Sequence, residues 1–297
     1  MTQQPDILCI GSVLWDVIGR AASNMRVGSD VPGRIRRLPG GVAMNIAMTL
    51  HGFGMRPALL SAIGRDAEGE ELVTEAQRMG LICDHLYRSD DLPTDVYMAI
   101  EGANGLVAAI ADAHSLEAAG EKILQALRDG TLGSAEVPFD GPVALDGNLT
   151  EELLQTIAIS PLFAKADLRV APASPGKAAR LLALMGHPTA TLYVNLEEAG
   201  LLCRTEFATS CDGAAGLLAR GAHRVLVTDG GNAAAEGTDG DIISHTPPAV
   251  MVTRVTGAGD TFMAAHIASE AQGMDRIAAL TRASNAAATY VSGETPL

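Results

Sequence analysis

Short apolar runs alternate with segments of helical periodicity along most of this 297-residue chain. Helical patterns occur in NIAMTLHGFG, EGEELVTEAQRMG, AGEKILQALRDG and GKAARLLALMG. Buried strands are predicted, each leading into a glycine or polar turn, in DILCIGSV, PALLSAIG, GPVALDGN, ADLRVAP, ATLYVN and HRVLVTDGG. Because strands that alternate with helices are joined by right-handed crossovers, we expect an α/β fold with a central, mostly parallel sheet flanked by helices.

Two stretches break this alternation. The segment DVYMAIEGANGLVAAI predicts two strands joined at Asn104-Gly105, since Asn-Gly is a strong hairpin signal. Residues 24–38 have little helical period. We therefore expect a single domain over residues 1–297, with a small β-sheet lid formed by segments of about 12–38 and 93–112.

The stretch RVTGAGDTFMAAH places a glycine-rich turn and one carboxylate at the start of an apolar helix. In such a turn Gly257, Ala258 and Gly259 would expose successive backbone N–H groups and form an anion hole for a phosphoryl group. Asp260 could then accept a proton from an attacking hydroxyl, a weak base being sufficient because phosphoryl transfer depends mainly on positioning. The alternative is that Asp260 only caps the helix.

A second glycine motif lies near the N-terminus, in PGGVAMNIAMTL. Gly40 and Gly41 permit close backbone approach to a ligand, and Asn45 offers both a donor and an acceptor. Together with VTGAGDTF, this motif resembles the two signatures of the PfkB or ribokinase-like family of sugar and nucleoside kinases. The resemblance implies a ribokinase-like fold over nearly the whole chain. No Walker-type GxxxxGK[ST] motif occurs, so a P-loop kinase is excluded.

The resemblance assigns further residues to the site. Asp16 matches the acidic ligand of the sugar hydroxyls in that family. Asn195 and Glu198, in NLEE, match an Asn-x-x-Glu motif that organises Mg²⁺ and phosphate mostly through water. The alternative for this pair is that both residues simply begin a helix.

The nucleotide side of the site is predicted in the same way. VTDGG resembles the strand end over which ATP lies, which implicates Thr228, Gly230 and Gly231. Asn285 resembles a residue near the adenine, although an asparagine in an alanine-rich helix can equally serve packing. The implied cofactors are ATP and Mg²⁺. Whether a monovalent cation such as K⁺ also binds stays open. Arg254 stands just before the signature, where many relatives carry an acidic or neutral residue, and this puts the usual cation-binding loop in doubt.

Several stretches resemble the pseudouridine kinases of this family, among them VPGRIRRLPGGVAMNIAMTL, GLVAAIADAHSLEA and ALDGNLTEELL. The resemblance implies phosphorylation of the 5′-hydroxyl of pseudouridine. Asp112 and Thr94 are the lid residues expected to reach the base, and Asn148 is expected to face the sugar. The alternative for Asp112 is that it is only a solvated residue of the hairpin. Another nucleoside or sugar kinase, of ribokinase or fructokinase type, and a catalytically silent ligand sensor stay open.

Composition narrows the choice of partners. The formal net charge of −14 leaves no basic surplus to neutralise a nucleic-acid backbone, so the expected partner is a small molecule. No apolar run is long enough to span a bilayer, and no secretory signal pattern is present at the N-terminus. Four cysteines without CxxC spacing predict free thiols and a cytoplasmic location. In related proteins the lids often pair, which would make a homodimer and cover an exposed sheet edge.

Overall fold

The computed structural model describes residues 4–26, 28–103 and 105–294. Its strands are β1 (Ile7–Ile10), β2 (Leu14–Arg20), β3 (Arg34–Gly40), β4 (Pro57–Leu60), β5 (Ala62–Gly64), β6 (Tyr87–Ser89), β7 (Val96–Gly102), β8 (Gly105–Asp112), β9 (Pro142–Asp146), β10 (Asp167–Ala171), β11 (Thr191–Asn195), β12 (Arg224–Thr228), β13 (Ala234–Thr238) and β14 (Asp241–His245).

The helices lie between and after these strands. They are α1 (Val42–Gly52), α2 (Ala67–Arg78), α3 (His114–Ala119), α4 (Glu151–Ile159), α5 (Leu196–Cys203), α6 (Ser210–Ala219), α7 (Ala258–Ala271) and α8 (Arg276–Val291). Gly120–Leu127, Pro161–Phe163 and Pro175–Leu184 form 3₁₀ helices, so two of the predicted helices have the tighter winding.

The central sheet confirms the predicted mostly parallel α/β fold. Its eight strands follow the order β14-β13-β12-β11-β10-β9-β1-β4. Only β13 runs antiparallel to its neighbours, so its pairs with β12 and with β14 are the two antiparallel pairs of this sheet. The run PALLSAIG splits at Ser61, since β4 pairs with β1 while β5 pairs with β6 in a separate two-stranded sheet.

Two apolar layers enclose the central sheet because successive strand side chains point to opposite faces. On β1, Leu8 and Ile10 join the cluster that contains α4, α5 and α6. Ile7 and Cys9 join the cluster that contains α1, α7 and α8. Within the described residues, no helix is long and apolar enough to cross a membrane.

A separate four-stranded sheet has the order β3-β2-β7-β8. Strand β2 pairs with β7 in parallel, and the two outer pairs, β2–β3 and β7–β8, are antiparallel. The predicted turn residue Asn104 lies outside the described residues, but the strands on either side of it pair as a hairpin. We call this sheet the lid sheet.

Candidate active site

Several of the predicted site residues lie at one edge of the central sheet, where parallel strands end and helices begin. Open α/β sheets bind ligands at this carboxyl edge. Ser12 follows β1, and its backbone N–H donates to the carboxylate of Asp146 at the end of β9, 2.8 Å away. Asn195 ends β11 directly beside Thr228, which ends β12.

The glycine turn before α7 has the geometry that an anion hole requires. Gly257 caps the helix with a positive φ of 88°, and a Cβ there would lie 2.6 Å from the Tyr290 hydroxyl. A Cβ on Gly259 would meet nothing within 4 Å, so the space above the turn is open. In the described part of the chain, no backbone carbonyl accepts from the N–H groups of Gly259 and Asp260. These are the free first-turn donors of a helix.

The carboxylate of Asp260 faces the other signature helix. Asn45, in the first turn of α1, donates from Nδ2 to Asp260 Oδ2 at 2.9 Å. Burial raises the pKa of Asp260 to about 7, the Asn45 hydrogen bond opposes the rise, and the neighbouring carboxylates add to it. Those neighbours are Asp146, Asp16 and Glu198, so Asp260 belongs to a cluster of negative charges.

Glycines 40 and 41 are required by close approach. A Cβ on Gly40 would lie 2.1 Å from Oδ2 of Asp16, so the Asp16 carboxylate packs directly against this glycine. Gly41 has a φ of 93°, and its Cβ would lie 2.5 Å from the Ser12 carbonyl. Burial raises the pKa of Asp16 to about 6. Asp16 accepts no hydrogen bond from the residues that the structure describes, which leaves both of its oxygens available to a ligand.

The lid register separates Asp16 from Asp112. Asp16 lies opposite Leu38 and Tyr97, and Tyr97 in turn lies opposite Ala111, so these four share one face of the lid sheet. Asp112, one residue further along β8, lies on the other face. Its Oδ1 lies 2.9 Å from Nδ1 of His114. A shift of one residue in a strand reverses the face. The register therefore favours the solvated alternative for Asp112, and Tyr97 is the polar lid residue beside Asp16 that the sequence reading missed.

Thr94 has a partner within the protein. Its hydroxyl donates to Asp66 Oδ1 at 2.6 Å, and its backbone N–H donates to Asp66 Oδ2 at 2.7 Å. Asp66 also caps α2 by accepting from Gly69. This arrangement fastens the segment before β7 to a helix start, and base recognition by Thr94 stays a prediction.

Asn148 belongs to a polar network that sequence reasoning did not foresee. Its Nδ2 donates to Ser12 Oγ and to Asp146 Oδ1, both at 3.0 Å, and its Oδ1 accepts from Lys177 Nζ at 2.5 Å. Asp146 is fully buried and accepts from the Ser12 hydroxyl at 2.5 Å. The sequence signal for Asp146 is its position as a polar residue at the end of an apolar strand. No comparable signal marks Lys177, because it lies in a distant segment that only the fold brings beside Asn148.

Asn195 and Glu198 form a reciprocal cap at the start of α5. Asn195 Oδ1 accepts from the Glu198 N–H, and Glu198 Oε2 accepts from the Asn195 N–H, both at 2.8 Å. The capping alternative is thus real, but it uses only one carboxylate oxygen. Among the described residues nothing donates to Glu198 Oε1, and burial raises the pKa of Glu198 to about 7.

The remaining predicted residues line open space. Gly230 has a φ of 54°, and a Cβ on Gly230 or Gly231 would meet no atom within 4 Å. Asn285 is exposed on α8, so it is not a core packing residue. Within residues 4–26, 28–103 and 105–294, no group of three or more His, Cys, Asp or Glu side chains is arranged to hold a metal ion. A metal here would depend on water and phosphate for most of its ligands.

Known proteins resemble this chain in sequence and in fold. The chain is 33% identical over 158 residues to an uncharacterised sugar kinase of Escherichia coli strain K12, covering 53% of this chain and 42% of that relative. It is 28% identical over 273 residues to the pseudouridine kinase of the same organism, covering 89% and 83%. Ribokinase of Arabidopsis thaliana, solved with ribose and ATP, superposes with a TM-score of 0.77 at 21% identity, covering 97% and 93%.

The model of the pfkB family of carbohydrate kinases matches residues 4–295. The predicted family and the predicted ribokinase-like fold are both confirmed by these matches. The chain belongs to the pfkB family of carbohydrate kinases.

Proposed function

We propose that this chain transfers a phosphoryl group from ATP to the 5′-hydroxyl of pseudouridine, giving pseudouridine 5′-phosphate and ADP. The observation that carries the kinase chemistry is the Asp260 carboxylate, held 2.9 Å from Asn45 beside the open glycine turn of α7. The choice of pseudouridine is supported by the 28% identical relative that bears this name and aligns over 89% of the chain.

In this reaction Asp260 takes the proton of the attacking hydroxyl. The hydroxyl oxygen bonds to the terminal phosphorus of ATP, and the bond from that phosphorus to the ADP oxygen breaks. A base with a pKa of about 7 is well matched to neutral pH. Of the predicted anion-hole residues Gly257, Ala258 and Gly259, Ala258 already donates its N–H to the Val255 carbonyl at 3.0 Å. The N–H groups of Gly259 and Asp260 would therefore hold charge that develops on the phosphoryl oxygens.

Asp16 and Asn45 would hold the ribose hydroxyls, with the lid sheet above them. Closure of this lid over the sugar would exclude water and so prevent wasteful ATP hydrolysis. Thr228, Gly230 and Gly231 offer an open strand end for the nucleotide, and Asn285 lies exposed for the adenine.

Mg²⁺, when bound with ATP, neutralises phosphate charge. Glu198 Oε1 and Asn195 are suited to hold its water shell, because Mg²⁺ prefers oxygen ligands and retains waters. The raised pKa of Glu198 is consistent with a carboxyl group that lacks a cation in the protein itself.

A homodimer through the lid sheet is part of the proposal. Ile35, Met98, Ile100 and Ile110 lie exposed on the face opposite Asp16, an unusual apolar surface for a solvated sheet. Sedimentation of Ile110→Glu should give a smaller species than the wild type. An unchanged size would remove the lid from any interface.

The decisive assay is ADP release from ATP with pseudouridine, uridine, cytidine, adenosine, ribose and fructose, each run with wild type and Asp260→Asn. The highest kcat/KM is expected with pseudouridine. Preference for a free sugar would favour the second candidate, a sugar kinase, which the name of the 33% identical relative supports. Release with none of them would favour a silent ligand sensor.

A further inference from the structure

The segment that leads into the phosphate turn is fastened to the end of α8. The backbone N–H groups of Thr253 and Arg254 both donate to the Val291 carbonyl, at 2.8 and 3.3 Å. The Thr253 hydroxyl donates to the same oxygen at 3.2 Å. Residues 253–257 and 290–294 therefore form one joined unit behind the turn.

The Arg254 guanidinium lies inside this unit among backbone carbonyls. Its Nε donates to the Tyr290 carbonyl at 2.8 Å, and its Nη2 donates to the Glu294 carbonyl at 3.2 Å. The charged group also stacks on the Tyr290 ring, 3.7 Å from the centroid. Within the described residues, no carboxylate forms an ion pair with Arg254. Two carbonyl oxygens and a ring face are thus the partners of this positive charge.

Tyr290 transmits this arrangement to the anion hole. Its hydroxyl donates to the Thr256 carbonyl at 3.0 Å. The same hydroxyl would lie only 2.6 Å from a Cβ on Gly257, so it packs directly against this glycine. Burial raises the pKa of the Tyr290 hydroxyl, the Arg254 charge opposes this rise, and the Asp260 charge adds to it. Arg254 is accordingly a positioning residue for the turn that carries the catalytic carboxylate.

Backbone carbonyls that converge in this way are the ligands that K⁺ uses in proteins. Here the fit to K⁺ is poor, because the Tyr290 and Glu294 oxygens already accept from a guanidinium and a second cation beside it would be repelled. We propose that the Arg254 guanidinium is the built-in cation of this loop, so that the enzyme works without a monovalent metal ion. The inference rests on the proposed phosphate-binding role of the turn.

The first test compares the wild type in chlorides of K⁺, Na⁺ and tetramethylammonium at equal ionic strength. The kcat for the best acceptor of the substrate panel should be the same in all three salts, and so should the melting temperature of the free protein. A rate or melting temperature that rises specifically with K⁺ would overturn the proposal. The melting measurement holds whichever substrate the enzyme uses, so failure of the proposed function is distinguished from failure of this inference.

The second test removes the guanidinium. Arg254→Ala should lower kcat by about 10- to 100-fold, as expected from losing charge-assisted hydrogen bonds near the turn. Either K⁺ or millimolar guanidinium chloride should restore part of the rate, and K⁺ should now raise the melting temperature. Full activity of Arg254→Ala in tetramethylammonium chloride would contradict the proposal.

Two further variants complete the test. Arg254→Lys keeps a charge in the loop and should stay independent of K⁺, which covers the case in which Arg254→Ala does not fold. Arg282→Ala is the matched control, because Arg282 also stacks on a ring, that of Phe53 at 4.8 Å, and donates to Gln272 at the far end of α7. It should show the salt independence and the rate of the wild type.

Discussion

Helix α7 joins two groups of carboxylates that have opposite surroundings. At its N-terminal end, Asp260 lies in electrostatic contact with Asp16, Asp146 and Glu198, and in the described residues none of these four forms an ion pair with lysine or arginine. At its C-terminal end, Glu270 pairs with two arginines, Arg169 and Arg224. We call the first group the site cluster and the second, with Glu236, the ionic cluster.

The ionic cluster, like the site cluster, contains a fully buried carboxylate. Glu236 on β13 is fully buried, yet its Oε1 accepts from Arg224 at 2.6 Å and from Arg276 at 2.9 Å. Tyr193 and His266, also buried, meet at 2.9 Å between the hydroxyl and Nδ1. The cluster thereby joins β10, β12 and β13 to α7 and α8.

The pKa values of the two clusters diverge for this reason. Burial alone would raise the pKa of Glu236, but the adjacent His266 and the Arg224 charge bring it down to about 2. In the site cluster burial is not opposed by any cation, and the pKa of Asp260 rises to about 7. Burial of a carboxylate therefore does not by itself indicate function. A buried carboxylate without a cationic partner is the better indicator of a functional site, because its ionised form lowers the stability of the fold and such groups occur where the chemistry requires them.

The largest expected effect comes from removing the site carboxylate that we assign as base. Asp260→Asn should lower kcat by about 100- to 10,000-fold, the usual cost of losing a general base, with little change in substrate binding. Steady-state kinetics and nucleoside binding by calorimetry check this. Near-normal kcat would show that Asp260 is not the base. The capping alternative is not what the structure has, because Gly257 caps α7 and no side chain makes a capping hydrogen bond there.

The same variant should be more stable than the wild type above neutral pH. Because folding raises the pKa of Asp260 from 3.8 to about 7, the ionised group destabilises the folded state progressively over that pH range. Asp260→Asn lacks this penalty, so its melting temperature should exceed that of the wild type by about 2–4 °C at pH 8, corresponding to about 1 kcal/mol for a partly exposed group. The two proteins should melt together below pH 4.

The ionic cluster should respond in the opposite manner. Glu236→Gln should lower the free energy of unfolding by about 1–3 kcal/mol, because Arg224 and Arg276 lose a buried charged acceptor and keep only Glu270 and Asp241 as carboxylate partners. At a temperature where the variant is folded, kcat/KM should equal that of the wild type. Urea unfolding measures the loss, and Asp241→Asn, at the exposed partner of Arg276, is the control with little effect. Loss of activity without loss of stability would erase the distinction between the clusters.

The stability of the wild type at low pH should also depend on the ionic cluster. The pKa of Glu236 is lowered from 4.5 to about 2, so its contribution to stability is complete above pH 4.5 and is lost as the pH falls toward 2. Glu236→Gln lacks this contribution, and its stability should therefore fall less steeply in this range.

Sequence patterns predict the strands of the central sheet better than they predict the site cluster and the ionic cluster. The buried strands β1 and β9–β12 follow from short apolar runs, and the glycine turn at Asp260 is a local motif. Strand β13 was not predicted, because its Glu236 is an unlikely core residue until arginines from β12 and α8 are brought beside it. Tyr97 and Asp112 could not be assigned to faces of the lid sheet, since that requires the register between β7 and its neighbours.

A smaller effect is expected at the metal side of the site cluster. Glu198→Gln should lower kcat by about tenfold and raise the Mg²⁺ concentration needed for half-maximal rate, because a neutral amide holds a hydrated cation less strongly. Its amide oxygen can still accept from the Asn195 N–H, so the cap of α5 should persist. An unchanged Mg²⁺ titration would remove Glu198 from the site.

The smallest effects concern the lid. Tyr97→Phe should change the ratio of kcat/KM for pseudouridine over uridine by several-fold, because Tyr97 shares the face of Asp16 and a single hydrogen bond is at stake. Pseudouridine keeps an N1–H that uridine lacks, which makes this pair of substrates diagnostic. Asp112→Ala, on the other face, should leave the ratio unchanged. The reverse pattern would show that the Asp112 carboxylate reads the base.

The central claim is that the site cluster holds a carboxylate near neutrality while the ionic cluster keeps one ionised. Carboxyl ¹³C NMR titration of the free protein between pH 4 and 9 tests it directly, with Asp260→Asn and Glu236→Gln spectra to assign the two signals. The Asp260 signal should titrate near pH 7 as part of a coupled group, and the Glu236 signal should not move. Titration of Asp260 below pH 5, or of Glu236 within the range, would contradict the account.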